Sequence, residues 1–111
     1  MGYWSDNMAR HTKYLKKMLE EFNSGKDEVI SPDKLVKIQR KDNHIFVYHY
    51  DTIILVVSEV GDLPYLTEDG MSVALGEYAY SQSDARIINQ VMENYELDYT
   101  AHTHKGELYL E

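Results

Sequence analysis

The side chains best suited to chemistry in this sequence are two histidines and an aspartate close to the C-terminus. On an extended strand His102 and His104 share one face, and Asp98 lies on that face four residues before His102. Two imidazoles and a carboxylate are a common ligand set for Zn²⁺. Residues i and i+4 of a strand are about 13 Å apart, however, so Asp98 cannot reach an ion held by both imidazoles unless the strand bends. We therefore expect a solvated polar face here, with no metal and no cofactor.

The rest of the sequence contains no motif that supports catalysis. His44 and His49 differ in parity, so they point to opposite faces of one predicted strand. His11 falls on the apolar face of a predicted helix, where we expect it at the edge of the core. The sequence has no cysteine, no Gly-x-Ser-x-Gly elbow and no glycine-rich phosphate-binding loop. It thus favours a protein that is not an enzyme, and a metal-dependent enzyme using His102 and His104 is the least favoured alternative.

Charge is divided unevenly along the chain, whose formal net charge is −8. Residues 1–41 carry nine Lys or Arg and six Asp or Glu, whereas residues 42–111 carry two basic and thirteen acidic residues. An acidic surface repels nucleic-acid phosphates and attracts basic surfaces, including the grooves in which other proteins hold nucleic acids. Acidity also keeps a small protein soluble, which is the simplest explanation of the charge alone. The basic residues of 1–41 could instead contact nucleic acid directly, or the acidic part of a second copy.

Acidic residues and tyrosines together predict a surface that binds a protein partner, with no direct nucleic-acid contact. Tyrosine combines a large apolar ring with a polar tip, which suits recognition surfaces, although it is also a frequent strand residue. Glu93 and Glu96 lie at the end of a predicted helix, where the helix dipole disfavours carboxylates, and this indicates a role other than helix stability. The predicted partner-binding residues are Glu59, Asp62, Tyr65, Glu68, Asp69, Glu77, Tyr78, Glu93 and Glu96.

Two amphipathic helices are predicted to carry the apolar core on one face each. The first spans residues 5–22 and ends before Gly25, which can adopt the left-handed conformation of a helix terminus. The second begins after a cap at Ser81 or Ser83, and Asp84 favours its positive first turn. The apolar faces comprise Met8, His11, Leu15, Met18, Leu19 and Phe22 in the first helix and Ala85, Ile88, Val91, Met92 and Tyr95 in the second.

The strands are predicted from runs of β-branched and aromatic residues between turn signals. Residues 26–33 are interpreted as a linker. In residues 53–57 the side chains on both faces of the strand are apolar, which predicts an interior strand covered on both faces. Phe46, Tyr48 and Tyr50 share one face, and we expect that face in the core. The predicted strands are residues 34–41, 44–50, 53–57, 65–66 and 71–75.

The C-terminal residues predict a β-hairpin with Lys105 and Gly106 as its two-residue loop. This loop sets Ala101 opposite Leu110, and the resulting register separates apolar from polar side chains on both strands. Agreement of the whole pattern with one register indicates a hairpin that is buried on one face.

The length of 111 residues allows one compact domain. The element order predicts a small α+β domain with a mainly antiparallel sheet, an N-terminal helix within residues 1–25, and a second helix and C-terminal hairpin within residues 26–111. No apolar run approaches the roughly 20 residues of a membrane span, and the N-terminus does not resemble a secretory signal. We therefore expect a cytoplasmic protein with no membrane contact.

Two segments resemble a group of small phage-type α+β proteins. Residues 48–54 read Tyr-His-Tyr-Asp-Thr-Ile-Ile and are similar to a Tyr-x-Thr strand of that group. Residues 77–89 are similar to its aromatic-Ser/Thr segment and the Arg-Ile-Asn helix that follows, with Ser81 and Ser83 in place of the usual threonines. The resemblance extends over residues 44–111, includes the terminal hairpin, and implies a viral or mobile-element origin with a host-directed role.

These observations predict an acidic, phage-encoded interaction protein that inhibits a host nucleic-acid-handling protein by occluding its basic groove. An anti-CRISPR or anti-restriction inhibitor is the concrete form of this hypothesis. The alternative is a homo-oligomeric structural or regulatory module, in which the positive first helix docks on the negative sheet of a neighbouring copy.

Overall fold

Residues 12–111 are described by a computed structural model, and within them the chain forms two helices and eight strands. Neither helix in this range has the length and apolar character that crossing a lipid bilayer requires. The elements in chain order are α1 (Leu15–Asn23), β1 (Glu28–Ile30), β2 (Val36–Lys41), β3 (His44–His49), β4 (Thr52–Ser58), β5 (Tyr65–Leu66), β6 (Ser72–Leu75), α2 (Gln82–Asn94), β7 (Ala101–His104) and β8 (Glu107–Leu110).

Strands β1 to β6 form one antiparallel sheet in the order β1-β2-β3-β4-β6-β5, and β7 and β8 form a separate hairpin. This architecture confirms the predicted α+β class, with a mainly antiparallel sheet, an N-terminal helix, a second helix and a C-terminal hairpin. The order also shows that β6 lies between β4 and β5, so β5 is an edge strand of only two residues.

The C-terminal hairpin has the predicted register. Ala101 pairs with Leu110 and His104 with Glu107, and Lys105 and Gly106 both have the positive φ that a tight two-residue loop requires. Ala101 is tied to α2, because its N–H donates to Asn89 Oδ1 at 2.6 Å and its carbonyl accepts from Asn89 Nδ2 at 3.0 Å. The side chain of one helical residue thus fixes the position of the hairpin.

The first helix is shorter in the structure than the periodicity predicts. Residues 12–14 form a turn, and α1 begins at Leu15. The predicted start at residue 5, with Met8 and His11 on its apolar face, lies outside the described residues. The buried face of α1 agrees with the prediction and consists of Leu15, Met18, Leu19 and Phe22.

Helix α2 begins at the predicted cap. The Ser81 side chain accepts a hydrogen bond from the Asp84 N–H, and the Asp84 carboxylate accepts one from the Ser81 N–H. This reciprocal pair satisfies backbone donors that have no partner inside the helix. The buried residues of α2 include the predicted Ala85, Ile88, Val91 and Met92, with Asp84 and Ile87 in addition.

The helices cover one face of the sheet, here called the inner face. The face of β3 that is buried there is the opposite of the predicted one. Ile45, Val47 and His49 are the buried residues of β3, whereas Phe46 and Tyr48 are only half-buried on the outer face. The prediction that these two aromatic residues and Tyr50 form the core was wrong. Each residue set of β3 has two large apolar or aromatic residues and one histidine, so the sequence pattern alone does not reveal which face the helices cover.

A β-bulge explains the burial of β4. Val47 pairs with Leu55, but the next residue of β3 pairs with Ile53, so Ile54 is left without a partner. Ile54 and Leu55 are both buried as a result. The strand is interior, as predicted, but Ile53 and Val56 are only half-buried, so its outer face is not fully covered.

Strand β1 lies in the segment interpreted as a linker, and that interpretation was therefore incomplete. Val29 is buried and pairs with Ile38 of β2. Three residues are too few for a period-two pattern to be recognisable, which is why the sequence did not indicate this strand.

Candidate functional site

The structure divides the predicted partner-binding residues between the two ends of the sheet. The pairing of His44 with Ser58, and of Ser58 with Ser72, places the loop of residues 59–71 at one end. Glu59, Asp62, Glu68 and Asp69 are exposed in this loop. We call this region, together with Glu96, the acidic end of the molecule.

Tyrosine contacts connect the segment after α2 to the acidic end. The Tyr99 hydroxyl donates to the Leu66 carbonyl at 2.6 Å, and its ring meets that of Tyr65 edge-on at 5.4 Å. Burial raises the pKa of Tyr95, the Arg40 guanidinium acts against this increase, and the Glu59 carboxylate adds to it. Glu96 follows Tyr95 directly, so these contacts bring it to the same end of the molecule as the 59–71 loop.

Two buried serines hold the loop of residues 59–71 against the sheet. Ser72 Oγ donates to the Val60 carbonyl at 2.6 Å and accepts from the Leu63 N–H at 3.0 Å. Ser58 Oγ accepts from the Val60 N–H at 3.2 Å. Since Ser58 and Ser72 have no exposed surface, the loop carries its carboxylates on an anchored backbone.

One carboxylate at the acidic end has a histidine partner. Asp62 Oδ2 lies 2.9 Å from His44 Nε2. The pKa of Asp62 is below its usual value, chiefly because the Ser58 hydroxyl hydrogen-bonds to its carboxylate, with a smaller contribution from His44. Asp62 therefore stays ionised at neutral pH.

In the part of the chain that the structure describes, the close ion pairs of the acidic segment involve histidines and not lysine or arginine. Across residues 12–111, the carboxylates from Asp42 onward form no ion pair with a lysine or arginine, and three of them contact histidines instead. The lysine and arginine pairs that do occur, each at 4.0 Å, join Lys26 to Glu21 and Arg40 to Asp27. Within residues 12–111 these carboxylates thus have no lysine or arginine partner at ion-pair distance, although Arg40 and Lys41 lie at the same end of the sheet as the 59–71 loop.

Four of the predicted residues do not belong to the exposed surface of the acidic end. Glu93 is exposed in a groove between the helices, beside Lys16 of α1. Glu77 and Tyr78 follow β6 at the opposite end of the sheet, about 20 Å away along the seven residues of β4. Tyr65 is at the acidic end but is half-buried against Tyr99.

The acidic end also exposes two apolar residues that the sequence pattern did not indicate. Leu66 is 57% exposed and Val60 is 46% exposed. Their positions in a loop and a two-residue edge strand leave no periodic signal from which exposure could have been predicted.

The structure places the two histidines considered as metal ligands, His102 and His104, in different surroundings. His102 Nε2 lies 3.5 Å from Glu111 Oε1, and its ring stacks on Tyr109 at 5.5 Å. His104 is exposed at the end of β7. No group of three or more His, Asp or Glu side chains within residues 12–111 has a geometry that could hold a metal ion.

The end of the sheet opposite the acidic end contains a cleft that the sequence did not reveal. The cleft has a volume of about 530 Å³ and lies between the end of β3, the start of β4 and the N-terminus of α2. A buried histidine–aspartate pair lies in its wall, with His49 Nδ1 at 2.7 Å from Asp84 Oδ1. These two residues are 35 positions apart, so no local motif signals the pair. The cleft is lined by His49, Tyr50, Thr52, Ile54, Tyr78, Tyr80, Ser81, Ser83 and Asp84.

The hydrogen bonds to Asp84 keep its carboxyl group ionised. Burial acts to raise the pKa of Asp84, but hydrogen bonds from His49 and from the Ser81 and Tyr80 N–H groups outweigh it and lower the pKa to about 2. An ionised carboxylate can only accept hydrogen bonds, so His49 Nδ1 is the donor. In the neutral imidazole Nε2 is then the acceptor nitrogen.

Comparison with known proteins adds no family to this description, since the chain matches no protein-family model, curated protein or solved structure. Residues from the segments 48–54 and 77–89 meet at the cleft around His49 and Asp84. Functional interpretation therefore depends on the acidic end and on this cleft.

Proposed function

We propose that this protein binds a partner with a basic surface through its acidic end, and that it inhibits a host nucleic-acid-handling protein by occluding the groove that holds the nucleic acid. The observation that carries the proposal is the absence, within residues 12–111, of any lysine or arginine pairing for the carboxylates of residues 42–111. Carboxylates without a cationic partner in the same molecule produce a negative electrostatic potential, which attracts a cationic groove.

The composition of the acidic end supports a protein–protein contact. Exposed Leu66 and Val60 lie among the carboxylates of Glu59, Asp62 and Glu68. Apolar residues surrounded by charged ones are the arrangement found at protein interfaces, where the apolar part supplies affinity and the charges direct association. Because Ser58 and Ser72 anchor the loop, little conformational entropy is lost when a partner binds.

The biological setting of the proposal is a phage protein in the cytoplasm of a bacterial host. RNA-guided nucleases and restriction enzymes hold nucleic acid in basic channels, and these are surfaces to which an acidic, rigid loop is complementary. In this mechanism the protein performs no chemistry and requires no cofactor.

The test is DNA cleavage by a panel of purified RNA-guided nucleases and restriction endonucleases in the presence of the protein. We expect the wild type to inhibit at least one of these enzymes, and inhibition to weaken as salt is raised, because exposed charges are screened. The double variant Glu68→Lys/Asp69→Lys should lose inhibition and keep its circular dichroism spectrum. Glu93→Lys is tested separately, because Glu93 lies away from the acidic end.

The matched control is Glu20→Lys/Glu107→Lys, which changes the net charge equally at two exposed residues outside the acidic end. It should inhibit as the wild type does. Equal loss in both double variants would show that net charge, and not the acidic end, is responsible. Inhibition retained by Glu68→Lys/Asp69→Lys would refute the mechanism, and a salt-sensitive dimer in light scattering without inhibition would favour the homo-oligomeric alternative.

A further inference from the structure

Two exposed tyrosines beside the His49–Asp84 cleft are not explained by the acidic end. Tyr78 is 65% exposed and Tyr80 is 62% exposed, in the segment that joins β6 to α2. Within residues 12–111 neither side chain forms a hydrogen bond or a ring contact. Large aromatic side chains left in water without a partner are the residues that most often dominate binding energy at recognition sites.

The segment that carries these tyrosines is held in place by its backbone. Gly76 N–H donates to the Ile54 carbonyl at 2.8 Å, and a Cβ atom at Gly76 would lie 1.8 Å from the Ile53 oxygen. At the other end of the segment, the Asp84 carboxylate accepts from the N–H groups of Tyr80 and Ser81, each at 3.1 Å. The rings are therefore presented by an ordered backbone, which reduces the entropic cost of binding a ligand.

The lining of the cleft is rich in hydrogen-bond acceptors and in negative charge. Hydroxyl groups come from three tyrosines, two serines and one threonine, and the Asp84 carboxylate is ionised. Asp51 and Glu77 are exposed next to lining residues in sequence. Among residues 12–111, no lysine or arginine lines the cleft. The cleft therefore disfavours anions such as phosphates and favours a cation with several hydrogen-bond donors.

The positive end of the α2 dipole also faces the cleft, but it does not cancel this preference. The Asp84 carboxylate accepts hydrogen bonds from the Tyr80 and Ser81 N–H groups just before the helix, and its full negative charge exceeds the partial charge of about half a unit that the dipole contributes.

We propose that this cleft binds the guanidinium group of an arginine side chain presented by a peptide or protein ligand, with the rings of Tyr78 and Tyr80 against its planar face. A guanidinium is planar, carries five N–H donors and stacks on aromatic rings, so it uses both the rings and the acceptors of the cleft. Lysine offers a compact ammonium that matches fewer of these groups. The His49–Asp84 pair acts as a positioning element that holds the tyrosine segment. The inference does not depend on the acidic end.

The experiment is a titration of the full-length protein with Nα-acetyl-arginine amide, followed by ¹H–¹⁵N NMR spectroscopy. We expect shift changes concentrated in residues 49–54 and 76–84. The lysine analogue should bind several-fold more weakly, and the uncharged citrulline analogue should bind at least about tenfold more weakly, because it keeps the shape and loses the charge. Tyr78→Ala and Tyr80→Ala should each weaken binding by about fivefold, the effect of one lost cation–π contact.

The matched control is Tyr109→Ala, which removes an exposed tyrosine that stacks on His102 in the hairpin and does not line the cleft. It should bind the arginine probe as the wild type does. Equal affinity for arginine and citrulline probes would overturn the proposal, because charge would not be recognised. Shift changes that avoid the cleft, or unchanged affinity in the double variant Tyr78→Ala/Tyr80→Ala, would overturn it as well.

Discussion

Replacing Asp84 with asparagine tests the role of the buried His49–Asp84 pair in holding the cleft together. The pKa of Asp84 falls from 3.8 to about 2 in the folded protein. At 1.36 kcal/mol per pKa unit, this shift corresponds to about 2–3 kcal/mol of stability that the ionised carboxylate contributes. Since only 8% of the Asp84 side chain is exposed, solvent screening does not reduce this figure greatly.

The pH dependence follows from the sign of the shift. A carboxylate whose pKa is lowered by folding contributes fully above its unfolded value of 3.8, and the contribution is lost as pH falls towards about 2. Asp84→Asn should therefore lower the free energy of unfolding by about 2–3 kcal/mol at pH 7, and the difference from the wild type should shrink between pH 5 and about pH 2. Asparagine keeps the size of the side chain, so packing changes little.

Urea unfolding at pH 7 and at about pH 3, with the slope of the transition compared between proteins, measures this difference. Asp69→Asn is the control, because it makes the same substitution at an exposed carboxylate and should alter stability by less than about 0.5 kcal/mol. A destabilisation by Asp84→Asn that is equally large at both pH values would refute the electrostatic reasoning. A destabilisation at pH 7 no larger than that of the control would show that the pair does not support the fold.

Two further substitutions test how the cleft and the hairpin are assembled. Gly76→Ala should destabilise the protein by at least about 2–3 kcal/mol in urea unfolding, because the new Cβ would overlap the Ile53 carbonyl. The control Gly61→Ala should cost much less, because its Cβ meets only the end of a flexible leucine side chain. A small effect at Gly76 would show that the segment after β6 can move. Asn89→Ala removes both hydrogen bonds to Ala101, so we expect the free energy of unfolding to fall by about 1–3 kcal/mol. Amide hydrogen exchange should accelerate more in β7 and β8 than in β3. Equal acceleration in all three strands would contradict a local role for Asn89.

The predictions from sequence that the structure confirms depend on interactions between residues close in the chain. The register of the C-terminal hairpin follows from a two-residue loop and from period-two alternation, both of which are visible in ten consecutive residues. The cap of α2 likewise joins Ser81 to a residue three positions later. The α+β class follows from the order in which these local patterns predict helices and strands along the chain.

The grouping of candidate site residues could not be predicted in the same way. Exposure of Glu68 and Asp69 was implied by their loop, but their separation from Glu77 depends on β6 running from one end of the sheet to the other. The exposed leucine at position 66 gave no signal, because two residues have no periodicity.

By itself the amino-acid sequence determined the local elements, the acidic character of residues 42–111 and the absence of recognisable catalytic motifs. Only the tertiary structure decided which face of β3 is buried, and therefore that His49 points inward to Asp84 while Phe46 does not. The physical reason is that local patterns depend on backbone geometry over a few residues. The choice between two apolar faces, and the pairing of groups 35 residues apart, depends instead on how strands and helices pack.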